Sequence, residues 1–150
     1  MGILGSKGQG QQRSPKGGEI IFMRENKDYI YTSANKELYT EYQLSSELGI
    51  SFFVFVKSHR FSGYSEFCID NEVVRERIEE LENMHFYLFG ECTINDDDSD
   101  SFIKIAFINN ELVVSGQLGG SYNTNFMKFE FYADQTLLKL FSDTLKGYVS

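Results

Sequence analysis

Histidine, cysteine and proline are scarce in this chain, and each shortage removes a class of function. There are two histidines, two cysteines and one proline in 150 residues. His59 ends one strand-like run and His85 begins another, with no second ligand at HxH or HExxH spacing. Zinc sites readable from sequence need such clustering. Neither histidine belongs to a Ser-His-Asp or Cys-His set that the sequence makes legible. Cys68 and Cys92 lie far apart and make no CxxC pair. They read as reduced thiols of a cytoplasmic protein, buried rather than reactive. No apolar run reaches the roughly eighteen residues that suggest a membrane span, and no apolar stretch near the start reads as a secretory signal. Gly119-Gly120 is followed by neither a helix nor Lys-Ser or Lys-Thr, so it reads as a turn and not a phosphate cradle.

Aromatic residues are abundant instead: fourteen Phe and nine Tyr supply a large apolar core. A chain of this length suits one domain and needs no disulfide or metal to hold it. The net charge is −8, unevenly spread. Residues 1–16 carry Lys7, Arg13 and Lys16 and no acid, so the rest is three charges more acidic than the whole. Such a body is a poor match for nucleic acid, which requires a basic face, and a better one for a basic protein.

Residues 1–18 are rich in Gly, Ser, Gln and Lys and contain Pro15, which predicts a disordered leader ahead of one domain over 19–150. Gly2 and Ser6 fit the N-myristoylation pattern, but a start codon at Met23 or a leader of cloning origin explains this short match better. From Glu19 onward short alternating apolar runs predict strands: EIIFMR, DYIYTS, ELYTEYQL, ISFFVFVKSH and RFSGYSEFCI. In the fourth, Phe53 and Phe55 alternate with Phe52, Val54 and Val56, so both faces are apolar and the strand belongs in the middle of a sheet. HFYLFGECTI, SFIKIAFIN, ELVVSGQLGG and NFMKFEFYA then predict an antiparallel meander. Asn109-Asn110 makes its tight turn and GGSYNT a longer loop.

Two helices are predicted, over about 70–83 and 134–147. Val74, Ile78 and Leu81 give the first its buried stripe, with Asp70 as N-cap. Leu138, Phe141 and Leu145 do the same for the second, with Asp134 as cap, Lys146 near its C-terminus and Gly147 as a stop. Residues 66–81 align without gaps on 130–145. Any strand-to-helix junction needs a cap and a stripe, and the echo reads that way rather than as a duplication. On either reading it predicts that both helices follow antiparallel strands.

The candidate binding residues are carboxylates. Glu72, Glu76, Glu79 and Glu80 fall opposite the buried stripe of the first helix, and Arg75 and Arg77 offset them only in part. Asp96, Asp97, Asp98 and Asp100 crowd one loop. Asp96, Asp98 and Asp100 imitate the first three ligands of a calcium loop. Ser101 replaces its glycine and Phe107 its bidentate glutamate, so the loop reads as an exposed hairpin without a metal. A basic partner could use both groups.

One ordered series runs from FFVFV through Phe61-Ser62-Gly63, the Val74/Ile78/Leu81 helix, GECTI, SFIKIAF, VSGQLGG and FEFYADQT to the last helix. It resembles the WapI-like family of bacterial immunity proteins and related uncharacterised domains, over roughly two-thirds of the chain. The resemblance implies a cytoplasmic antidote that binds the C-terminal domain of a cognate toxin, commonly a nuclease, and blocks it by stoichiometric association. It implies no enzyme, no cofactor and no catalytic residue. The expectation is therefore an α+β protein, mainly antiparallel, that neutralises a basic toxin domain without binding nucleic acid or membrane. The rivals are an adaptor or small-ligand-binding module on the same fold, and a hydrolase using paired carboxylates.

Overall fold

A computed structural model describes residues 26–120 and 125–149. The leader with its Gly2 and Ser6 match, the EIIFMR run and residues 121–124 of the GGSYNT loop lie outside that range. The described chain runs β1 (Lys27–Ser33), β2 (Lys36–Ser45), β3 (Gly49–Ser58), β4 (Phe61–Asp70), α1 (Asn71–Tyr87), β5 (Glu91–Asn95), β6 (Phe102–Ile108), β7 (Glu111–Gly119), β8 (Phe126–Ala133) and α2 (Thr136–Tyr148). The fold is α+β and mainly antiparallel. The strands form two four-stranded meanders, β1-β2-β3-β4 and β5-β6-β7-β8, rather than one sheet.

The pattern of apolar residues explains this arrangement. In β3, Phe52, Val54 and Val56 face inward and are almost fully buried, while Phe53 and Phe55 face the other side and are half-buried. As its two apolar faces predict, β3 pairs on both edges. Asn109 and Asn110 both adopt positive φ, at 53° and 67°, and close the β6–β7 hairpin. Asparagine tolerates that conformation in a two-residue turn of the primed kind. Within the second sheet Gly116 lies opposite Phe129. A Cβ on Gly116 would stand 2.2 Å from the Phe102 carbonyl oxygen and 2.8 Å from the Phe129 ring. The glycine of VSGQLGG thus makes room for the first phenylalanine of FEFYADQT, which ties these two segments together.

Each half of the described chain repeats one plan: four antiparallel strands and then a helix. The echo between 66–81 and 130–145 lands on the same place in both plans. Phe67 and Phe131 are buried on the fourth strands, and Val74 and Leu138, then Leu81 and Leu145, are buried on the helices. The halves share one apolar core. It joins the inner faces of both sheets to Val74, Ile78, Leu81 and Met84 of α1 and Leu137, Leu138, Phe141, Leu145 and Tyr148 of α2. Burying each large aliphatic or aromatic side chain contributes about 1.5–3 kcal/mol, and that burial holds the halves together.

Several junctions differ from expectation. HFYLFGECTI is not one strand. Met84 extends the buried stripe, so α1 runs a turn past 83 to Tyr87, and His85 lies in its last turn. Leu88 then takes a left-handed conformation, its N–H bonded to the Met84 carbonyl, and Gly90 turns the chain at φ 108°. Asp70 holds the N-cap position of α1 but makes no side-chain cap bond. Asp134 accepts hydrogen bonds from the N–H and the hydroxyl of Thr136, so it braces the start of α2 from one residue outside the N-cap, Gln135. His59 sits in the β3–β4 turn at φ 57°, beside the Asn35 amide.

Candidate interaction surface

The solvent face of α1 carries the glutamates that the helical spacing placed there. Glu72, Glu76 and Glu79 are exposed. Glu72 lies in the first turn, where the helix dipole favours an anion. Glu80 departs from the expectation. It is half-buried, and Arg77 Nη1 reaches it at 2.6 Å while Nη2 reaches Glu76 at 3.3 Å. Arg77 thereby neutralises the edge of the stripe that turns inward. Glu82 pairs with Lys146 of α2 and links the helices.

The same face continues past the acids into aromatic residues. Steps of three and four lead from Glu76 and Glu79 through Asn83 to Phe86 and Tyr87. Phe86 is 77% exposed, Tyr87 68% and Phe89 78%, with Leu88 half-exposed between them. The Phe86 and Tyr87 rings meet edge to face at 4.8 Å. Four consecutive large apolar side chains in water form a patch of the kind that marks an interaction site. Sequence reasoning missed it by taking the segment for a strand. Extending the three-and-four spacing of the glutamates by one turn would have found it.

The aspartate loop is built differently from the exposed hairpin expected. Asp96 is buried, which removes it from any docking surface, while Asp97, Asp98 and Asp100 are exposed. Asp96 Oδ1 accepts the N–H of Cys68 at 2.9 Å and of Asp98 at 3.2 Å, and Oδ2 accepts the Ser99 hydroxyl. The Asp97 N–H donates to the Cys68 carbonyl at 3.0 Å. Residues 96–101 therefore fasten the start of the second sheet to the outer edge of β4. A Ser65–Ser101 hydroxyl contact at 2.8 Å adds to the seam. Free strand edges invite unwanted pairing, and this clasp covers one.

One oxygen each of Asp96 and Asp98 and the Cys68 sulfur lie within 4.8 Å of one another. Both Asp96 oxygens already accept protein donors. Burial, with Glu66 and the aspartates, pushes the Cys68 thiol up to about 11, so it is not a ready thiolate. Burial and then the Asp70 carboxylate raise Asp97 above its ordinary value. Cys92 is buried, and burial first and Glu80 second raise its thiol pKa.

A second aromatic surface covers the outer face of the first sheet. Tyr29, Tyr39, Phe55 and Tyr64 stack across all four strands at centroid spacings of 5.2, 4.7 and 5.2 Å. It borders an open groove of about 670 Å³ whose far wall is Phe126 and Met127. Tyr39, Phe55 and Tyr64 stack nearly face to face and so cover part of one another's rings, while Tyr29 is tilted by 41°. Among the described residues no helix is long and apolar enough to cross a membrane. No protein-family model, curated protein or solved structure matches this chain.

Proposed function

We propose that this protein is an immunity protein that neutralises a basic toxin domain in the cytoplasm by stoichiometric binding, without catalysis. The supporting observation is the outward face of α1, where exposed Glu72, Glu76 and Glu79 lead into exposed Phe86, Tyr87 and Phe89. Aromatic anchors bordered by a polar, solvent-accessible rim are the usual anatomy of a protein-binding site. Carboxylates steer a cationic partner, and desolvated aromatic side chains slow its departure. The resemblance to WapI-like immunity proteins supplies the class of partner. The charge supplies its sign, and Asp97, Asp98 and Asp100 extend the acidic surface beyond the helix.

The test is co-expression with the toxic C-terminal domain encoded by the adjacent gene. Rescue of growth and a co-purifying complex are expected. Glu72→Lys, Glu76→Lys and Glu79→Lys together should slow association at low salt, with the difference shrinking as salt screens the charges. Phe86→Ser with Phe89→Ser should speed dissociation instead. A complex whose two rates are untouched by both sets would remove α1 from the interface. No rescue and no complex between folded proteins would remove the immunity reading.

The groove beside Tyr39, Phe55, Tyr64 and Phe126 favours a second reading, a small-ligand-binding module. Failure of the rescue would bring that reading forward.

A further inference from the structure

The end of α2 closes onto the first sheet through a polar contact that the packing of an apolar core does not call for. The Tyr148 hydroxyl donates to Asp28 Oδ2 of β1 and lies 2.7 Å from the hydroxyl of buried Thr40. Because the tyrosine proton goes to the carboxylate, Thr40 must be the donor in the second bond. Burial and the Asp28 hydrogen bond raise Tyr148 above its ordinary pKa, and the Asp28 and Glu41 charges add to this. The phenol stays protonated, and its hydrogen bond fixes Asp28 beside it.

Next to this contact lies an open slot of about 430 Å³ between β1, β2 and α2. Asp28 and Asp143 line it, and among the described residues no Lys, Arg or His does. Lys139 pairs with Asp143 at 3.0 Å from one turn before it. The rings of Tyr42 and Tyr148 meet at 5.3 Å and 45°, forming a wedge in the wall. Gly147 keeps the slot open on the helix side, for a Cβ there would have nothing within 4 Å.

We propose that this slot binds a guanidinium or primary ammonium group, held between the Asp28 carboxylate and the half-exposed ring of Tyr42, with buried Tyr148 fixing the carboxylate. A carboxylate gives such a group a charge-assisted hydrogen bond, and an aromatic face attracts its positive charge. An anion would meet two carboxylates, and an apolar ligand would strand the Asp28 charge. The slot shares no residue with the face of α1, so it stands or falls independently of the toxin-binding reading.

The full chain, isotope-labelled for two-dimensional NMR, is titrated with N-acetyl-arginine amide, N-acetyl-lysine amide and, as a neutral isostere, N-acetyl-citrulline amide. The cationic probes should produce saturable shifts at Asp28, Tyr42, Leu140, Thr144 and Gly147, and citrulline should not. Asp28→Asn keeps an acceptor for Tyr148 and should weaken binding about tenfold, as loss of one charge-assisted bond implies. Gly147→Leu fills the slot without removing a carboxylate and should abolish the shifts in a folded protein. Tighter binding of the capped amides than of free arginine assigns the group to a protein side chain; the reverse assigns it to a small molecule. Equal shifts with citrulline, shifts spread unsaturably over the acidic surface, or binding unchanged in both variants would overturn the proposal.

Discussion

Asp96 shows how much one side chain's surroundings decide. It sits among four aspartates within five residues, yet it is the buried one, bonded to two backbone N–H groups and a hydroxyl. Asp96→Ala should therefore lower stability by about 2–3 kcal/mol, the scale for stranding buried donors that bonded a charged group. Asp100→Ala, at an exposed position of the same loop, should change it by less than about 0.5 kcal/mol. Urea midpoints of the two variants, measured side by side, check this; equal midpoints would mean the clasp contributes nothing. The sequence shows a crowd of carboxylates but not which one meets the edge of β4. Cys68, its partner there, lies 28 positions away in the chain.

At the scale of elements, local periodicity read well where the apolar residues are the buried ones. The stripe of α1, the two-faced β3 and the Asn109-Asn110 turn all follow from spacing or turn chemistry alone. Reading failed at the end of α1, because Phe86, Tyr87, Leu88 and Phe89 are apolar yet exposed. A rule that sends apolar residues inward turns such a run into a strand. In β7 the constraint is a cross-strand one. Gly116→Ala sets a methyl against the Phe102 carbonyl and the Phe129 ring. A loss of about 3 kcal/mol is expected, the upper end of what overpacking costs. A thermal midpoint equal to that of the unmodified protein would show that the strands shift apart freely.

At the scale of the whole molecule, the core holds Cys92 and Tyr148, the seam beside β4 holds Cys68, and the pH dependence of stability follows. Burial raises Cys68 to about 11, and it raises Cys92 and Tyr148 further. A hydrogen bond to Glu82 raises Lys146 as well. In each case the folded state keeps its proton at a pH where the unfolded chain releases it. Stability is then full below about pH 9 and falls as pH rises from there through 11. Urea midpoints at pH 8, 9 and 10.5 should decline over the upper interval, and Cys68→Ser should flatten its first part. A midpoint constant to pH 10.5 would contradict the burial of the two cysteines and Tyr148.

The sequence by itself determined the class of fold, the face of each helix, the sign of the surface and most of the turns. These depend on residues within a few positions of one another, and period and charge record them directly. Only the tertiary structure decided that the strands divide into two sheets, that Asp96 is a clasp and Glu80 is paired inward, and that Asp28 meets Tyr148 across the molecule. Those contacts join residues far apart in the chain, and a carboxylate's letter is the same whether its neighbour is water or a buried N–H.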